Sequence, residues 1–292
     1  LRWLYLGLSV CLFVLTQAIG VTVGGARNWI VLAGRSFQPS EVIKILFVLF
    51  LASYFGADRS KKIRKIPERY MIAAVTYVFM GFLILQREWG STLVFFLTYF
   101  ILMYIYDHDV LLLLANALMT GVVGAAGMLT MRHIQVRVQS WLNPWEDIAN
   151  TGYQITQSLF AIASGGFFGR GIGLGNPEFI PEVHSDFIFS AICEEMGIFG
   201  GAAVILLYFI FIYRGVKIAL MLPEGFDKAA ALGITVMFAF QTFIIIGGVI
   251  KLIPLTGITL PFVSYGGSSL VSSFISLGIL QAISAKGRAA ND

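Results

Sequence analysis

The feature that most limits how this chain can fold is a series of apolar runs, each of about the length that crosses a lipid bilayer. A helix needs ~20 predominantly apolar residues to span the hydrocarbon, with a range of ~17–25. Such runs occur at 4–23, 41–56, 70–86, 90–106, 110–130, 187–213, 229–250 and 265–285. Lipid offers no partners to backbone N–H and C=O groups, so each run must close its hydrogen bonds internally, as a helix. The alternating ten-residue strands of a membrane barrel are not visible. The expected fold class is all-α, a polytopic transmembrane helix bundle of about eight spans. Residues 1–292 form a single integral membrane domain in this reading, with a large extracytoplasmic loop at 131–186.

Composition then narrows the function. Only 12% of residues are charged, against ~25% in soluble domains, and 58% are apolar. That balance argues against an ordinary cytosolic enzyme, a disordered chain or a nucleic-acid-binding domain, so no nucleic acid is expected as a partner. The net charge of +4 comes from cations scattered between apolar runs. Cys11 and Cys193 lie far apart and outline neither a disulfide framework nor a metal site. No internal repeat is visible, which weakens a transporter built from inverted halves. The first run exceeds a signal-peptide core and reads as a span; the chain has no initiator Met and reads as a fragment or truncated frame.

Basic residues orient the bundle. Arg59, Lys61, Lys62, Arg64, Lys65 and Arg69 form the densest basic cluster, and placing it in the cytoplasm brings Arg214, Lys217, Lys228, Lys286 and Arg288 with it. Both termini are then cytoplasmic. The turns 24–40, 86–89 and 251–264 face outward, together with 131–186.

The outer segment carries the chemistry. It holds Trp141, Trp145, a helical run from Tyr153 to Ala163, and glycines 165, 166, 169, 171, 173 and 175. Gly169–Gly175 lacks the spacing and the Lys-Ser/Thr of a phosphate loop, so the glycines read as turn and close-approach residues. Five of the sixteen acidic residues, Glu178, Glu182, Asp186, Glu194 and Glu195, crowd into 178–195 beside His184. Asp186 or Ser185 suits a helix cap here, and a partly desolvated carboxylate equally suits a general base. Glu41 and Lys44 share a helical face and pair either structurally or towards a substrate. Arg27, Arg137, Arg170 and Lys251 are outer-face cations able to hold an anionic head group, or ordinary surface residues. Pro254, Pro261 and Ser264–Ser269 mark a broken, re-entrant approach to the last span. Together these elements outline a polar, outward-facing cavity.

Several motifs, in order along the chain, resemble a known family: Gly25-Ala-Arg-Asn-Trp-Ile30; Gln38-Pro-Ser-Glu41 with Lys44; Gly152-Tyr-Gln with Gln157-Ser158; Pro181 to Phe189 with Glu194-Glu195-Met-Gly197; and Leu260 to Ser269. They look like the signatures of the SEDS proteins of shape, elongation, division and sporulation, the RodA/FtsW/SpoVE family. The resemblance implies a bundle of about ten spans, of which this chain would lack the first two. It implies a peptidoglycan glycosyltransferase that polymerises lipid II outside the cytoplasmic membrane. The implied partners are lipid II, a class B penicillin-binding protein, and other divisome or elongasome membrane proteins. It places the family's essential aspartate at Asp186. A family Pro-Asp-Leu-Gly stretch reads here Arg87-Glu88-Trp89-Gly90, and an Asn-containing stretch reads Ile245-Ile246-Gly247.

In such a reaction the acceptor hydroxyl attacks an α-linked donor in line and gives a β-1,4 bond, with Asp186 taking the proton. Glu41, Lys44, Arg27, Arg137, Arg170, His184 and Lys251 are the expected substrate-binding residues. The leaving diphosphate calls for positive charge from Arg or Lys, a divalent cation (Mg or Mn), or both. A lipid II flippase or other transporter, and a non-catalytic scaffold for a penicillin-binding protein, are the rival readings.

Overall fold

Each apolar run contains a helix in the computed structural model, which describes residues 1–23, 26–32, 34–57 and 66–289; the first run, expected over 4–23, is helical only to Ile19, and its end is a strand. In chain order the helices are α1 (Arg2–Ile19), α2 (Pro39–Phe55), α3 (Ile66–Leu85), α4 (Trp89–Asp107), α5 (Val110–Thr130), α6 (Arg132–Leu142), α7 (Tyr153–Gly165), α8 (Ile188–Met221), α9 (Phe226–Val249) and α10 (Gly267–Ala289). Six of these, α1, α4, α5, α8, α9 and α10, are long and apolar enough to cross a membrane. The other two runs give the 17-residue α2 and the apolar stretch Arg69–Leu85 within α3. On α5, Leu111, Leu114, Leu118 and Leu129 are all exposed, a surface suited to lipid rather than to water. The basic cluster from Arg59 to Lys65 and the motif residue Gly25 lie outside the described residues.

The segment between α1 and α2 is not irregular. Strands β1 (Val21–Val23), β2 (Ala26–Leu32) and β3 (Arg35–Phe37) make an antiparallel meander, with Val21 opposite Trp29 and Ile30 opposite Phe37. Two of the strands have only three residues and the seven-residue β2 does not alternate apolar with polar, so no strand signal stands out in the sequence.

The packing divides the residues into two compact units. The first holds Leu1–Leu113, Ile212–Phe240 and Gly267–Asp292. Its core is a ladder of phenylalanine rings. Phe13 stacks on Phe82 at 5.0 Å and meets Phe79 edge-on at 5.3 Å, while Phe47 lies 5.5 Å from Phe79 and 4.8 Å from Phe95. The rings knit α1, α2, α3 and α4 together, and such pairs add ~0.5–1.5 kcal/mol each beyond their buried area. Helix α2 starts well: Pro39 sits at its first turn and Glu41 follows near the positive end of the helix dipole. Where α9 crosses α2, a side chain at Gly233 would come within 2.8 Å of Val48, so that close approach requires glycine.

The second unit holds Leu114–Phe211 and Gln241–Gly266. Here α8 is broken at Gly197, whose φ of 69° and ψ of −169° are not helical. A Cβ on Gly197 would lie 2.3 Å from the Phe167 carbonyl oxygen. Against this break lies the glycine-rich segment after α7: Arg170 and Gly171 donate backbone N–H groups to the Glu194 and Glu195 carbonyls at 2.9 and 3.0 Å. Gly169, Gly171 and Gly173 all have positive φ, as turn glycines do.

Candidate active site

In the second unit, Asp186 sits in the turn that follows Pro181 and precedes α8. Glu182 takes a left-handed φ of 57°, and its carbonyl accepts the N–H groups of Ser185 and Asp186, both at 3.1 Å. The turn is pinned from outside. Ser264 donates its hydroxyl to the Ser185 carbonyl at 2.5 Å and accepts the Leu260 N–H at 2.8 Å, while the Tyr265 N–H donates to the His184 carbonyl at 2.7 Å. The irregular segment before α10 is fastened in turn by Gln241, which donates to the Thr259 carbonyl at 2.9 Å, and by the Tyr208 hydroxyl, which donates to the Pro261 carbonyl. That segment holds two more non-glycine residues at left-handed φ, Lys251 at 62° and Phe262 at 66°. Backbone strain of this kind costs ~1–3 kcal/mol per residue and persists only where surrounding contacts hold it.

Helix α6 brings Arg137 to the same place. Arg137 donates from Nη1 to the Thr256 carbonyl at 2.9 Å, and Trp141 donates from Nε1 to the Lys251 carbonyl at 3.1 Å. Arg137 and Asp186 then flank Gly257. A Cβ added there would lie 3.2 Å from Arg137 Nη2 and 3.4 Å from Asp186 Oδ2. The Gly257 φ is +71°.

A capping role would show the first N–H groups of α8 aimed at the carboxylate. Among the described residues no backbone N–H of α8 donates to the Asp186 carboxylate, and the Ser185 hydroxyl also reaches the Glu182 carbonyl and carboxylate at 3.2 and 3.3 Å. Half-burial raises the Asp186 pKa to about 6; Arg137 pulls it down, Glu182 pushes it up, and a hydrogen bond with Ser185 lowers it. The Arg137 pKa is itself lowered, because desolvation outweighs the pull of Asp186. Arginine remains cationic at any working pH.

The other sequence-named residues of this unit have separate attachments. The His184 side chain is exposed. Lys251 points Nζ at the Leu142 carbonyl, 3.5 Å away. Arg170 pairs with the buried Glu194 at 3.6 Å and lines a cavity of about 210 Å³ with Gln157 and Asn176.

In the first unit, Lys44 Nζ meets the Glu41 carboxylate at 2.9 Å, and the Ser272 hydroxyl of α10 donates to Glu41 Oε2 at 3.0 Å. Both charged residues are 95% buried. In the turn before α4, Glu88 accepts a 3.0 Å hydrogen bond from Gln38. Burial raises the Glu88 pKa, against hydrogen bonds from Gln38, Ser40 and Asn28. Arg27 reaches the carboxyl end of α1, donating to the Gly20 and Ala18 carbonyls at 2.9 and 3.3 Å, where a cation also suits the helix dipole. Among the described residues no three His, Cys, Asp or Glu side chains gather into a metal cage. Mg²⁺ commonly binds through one or two carboxylates and the substrate's own phosphates.

The family model of the FtsW/RodA/SpoVE cell cycle proteins matches residues 1–289. The chain belongs to that family. It is 37% identical over 294 aligned positions to stage V sporulation protein E of Bacillus subtilis, covering 97% of this chain and 79% of that one. It is 35% identical to the peptidoglycan glycosyltransferase RodA of Mycobacterium tuberculosis, covering 89% of this chain but only 58% of the relative. Among solved structures, a chain from a peptidoglycan synthase complex that coordinates polymerization and crosslinking superposes with a TM-score of 0.79 at 28% identity. It is covered over 81% of its length, and 98% of this chain takes part. The rod shape determining protein RodA of Thermus thermophilus superposes with a TM-score of 0.67 at 26% identity, covering 98% of this chain and 78% of that one. With its apolar helices, this member of the family is a multi-pass membrane protein.

Several of these residues escaped the sequence. Gly257 and Thr256 carried no signal beyond a lone glycine in an irregular stretch. Ser272 is a polar residue whose partner lies 231 positions away, and Gln38, though part of a motif, gave no sign of its partner Glu88, 50 positions on.

Proposed function

We propose that this chain is a peptidoglycan glycosyltransferase that polymerises lipid II on the outer face of the cytoplasmic membrane, in elongation, division or sporulation. The observation that carries the reading is the Asp186 carboxylate: half-buried, raised to about 6, unused as a helix cap, and set across Gly257 from Arg137. A base of that pKa is largely ionised at neutral pH and still basic enough to accept a hydroxyl proton. In the proposed reaction Asp186 takes the proton of the acceptor sugar's 4-hydroxyl as that oxygen attacks the donor's anomeric carbon. The α-linked diphosphate leaves from the opposite side, and a β-1,4 bond forms with inversion. Arg137 shares the charge that develops on the diphosphate. A divalent cation bound with the substrate would add to that charge. Glu41, Lys44, Arg27, Arg170, His184 and Lys251 bind the substrates, with Lys44 the first to test because its charge is buried within the bundle.

The diphosphate is already an activated leaving group, which fits a chain without a phosphate-loop motif. A class B penicillin-binding protein is the proposed partner, supported by the related chain found in a peptidoglycan synthase complex. The loop 131–186 lies outside the membrane and both ends of the chain inside, the two units acting as one membrane domain.

The test is polymer formation from purified lipid II. Asp186→Asn should insert and fold normally yet lose ~10²–10⁴-fold in rate, the usual worth of a general base. Normal polymer from that variant would remove Asp186 from the chemistry. No polymer from the unsubstituted chain with its partner supplied would favour the flippase or scaffold reading.

A further inference from the structure

We propose that the groove between the ends of α8 and α10 binds the phosphate head group of an anionic phospholipid from the adjoining leaflet. The groove encloses about 390 Å³ in the first unit. On α8 its wall is made by Arg214, Lys217, Ile218 and Met221, spaced as one helical face. On α10 the facing wall is Gln281, Ser284 and Arg288, again one face. Leu222 closes the end of the groove at Gly287, where a Cβ would approach Leu222 Cδ2 to 2.7 Å; glycine lets the two helices touch there.

The pairing of charges marks this groove off from its surroundings. Close by, Lys228 holds Glu224 at 2.7 Å and Lys286 holds Asp227 at 2.5 Å. Among the described residues no carboxylate lies within 4.0 Å of Arg214, Lys217 or Arg288, and no acidic residue lines the groove. Among the described residues three cations thus converge on one concavity without a counter-charge, while two nearby carboxylates are engaged elsewhere. Mutual repulsion makes such a cluster costly unless an anion fills it. Two guanidinium forks, an ammonium, an amide and a hydroxyl match a phosphodiester's acceptor oxygens.

The apolar part of the wall selects the source of that phosphate. Ile218 and Met221 continue onto exposed Leu220 and Tyr213 along the same end of α8, a path for acyl chains that a free phosphate would not use. Basic pockets between spanning helices hold anionic head groups in this way, and each cation near an anionic surface strengthens attachment about fivefold. In the proposed orientation this end of the bundle lies in the cytoplasmic leaflet. The site takes no part in the proposed transfer reaction.

Native mass spectrometry of the full chain in detergent tests the assignment, with added phosphatidylglycerol, phosphatidylcholine or inorganic phosphate. The unsubstituted chain should retain phosphatidylglycerol well over phosphatidylcholine. Lys217→Gln should weaken that retention about fivefold, and the triple variant R214Q/K217Q/R288Q on the order of 100-fold. R214K/R288K should keep most of it, and so should Lys228→Gln, which removes a paired cation outside the groove. Equal retention of the two lipids, or the same loss in Lys228→Gln as in Lys217→Gln, would overturn the site. Displacement of phosphatidylglycerol by millimolar inorganic phosphate would assign the groove to a soluble anion and overturn the lipid. The single variant keeps the proposal decidable if the triple variant does not fold.

Discussion

A carboxylate raised to about 6 has consequences for both rate and stability. In the proposed reaction Asp186 works as a base only when ionised, so kcat/KM for lipid II polymerisation should fall about tenfold per pH unit below about 6 and level off above it. Arg137 holds the Asp186 pKa down, so Arg137→Gln should move that acid limb to higher pH as well as slow the reaction. A pH profile that stays put in Arg137→Gln would separate the two residues. The stability effect has the opposite sign. With a folded pKa above the ordinary 3.8, protonation of Asp186 favours the folded state: the benefit is full below 3.8 and lost as pH rises through about 6. At neutral pH the buried charge is therefore a cost, on the order of 3 kcal/mol, and Asp186→Asn should melt no lower than the unsubstituted chain. Gly257 belongs to the same scale. Gly257→Ala places a methyl against Arg137 and Asp186 on a backbone of φ +71°, so activity should drop severely. The fold should lose only ~1–2 kcal/mol, the cost of a left-handed alanine. Loss of both together in a melting curve would make Gly257 a purely structural glycine.

Among the elements, the pairing between α2 and α10 is the most consequential. Glu41 bonds both Lys44 and Ser272, so one carboxylate serves a charge on its own helix and a hydroxyl on another. Removing one partner of a buried pair leaves the other charge uncompensated, at ~3–5 kcal/mol. Glu41→Gln should lower the melting temperature strongly in detergent. Glu41→Gln with Lys44→Met should recover most of the loss, because no orphan charge remains. If the double variant melts as low as the single one, the pair is not what stabilises that crossing. Helices α2, α4, α5 and α9 were legible in the sequence within a few residues, since apolar length alone specifies a helix in lipid. The β1–β2–β3 meander was not, because short strands are made by their partners rather than by their own pattern. The break at Gly197 was equally hidden: the glycine stands in a motif, but only its φ of 69° and the approach of the Phe167 and Gly169 backbone reveal a break there.

For the whole molecule, the property that decides function is which way the bundle faces. The proposed orientation puts Asp147 outside and Glu224 inside. In a chain carrying Cys11→Ser, since Cys11 is exposed and Cys193 buried, Asp147→Cys should react with a membrane-impermeant maleimide in intact cells. Glu224→Cys should react only after permeabilisation. The reverse pattern would invert the orientation and move Asp186 to the wrong side for building a wall. By itself the sequence determined that the chain is a membrane helix bundle of the FtsW/RodA/SpoVE family, and it singled out Asp186, Glu41 and Lys44. Those are consequences of apolar length and of local spacing, which a linear chain carries openly. Only the tertiary structure decided what stands beside them. Arg137 faces Asp186 from 49 positions away and Gly257 parts them, Ser272 meets Glu41 across 231, and Ser264 pins the Asp186 turn across 79. Contacts between such distant residues depend on how the helices pack, and no local pattern encodes them.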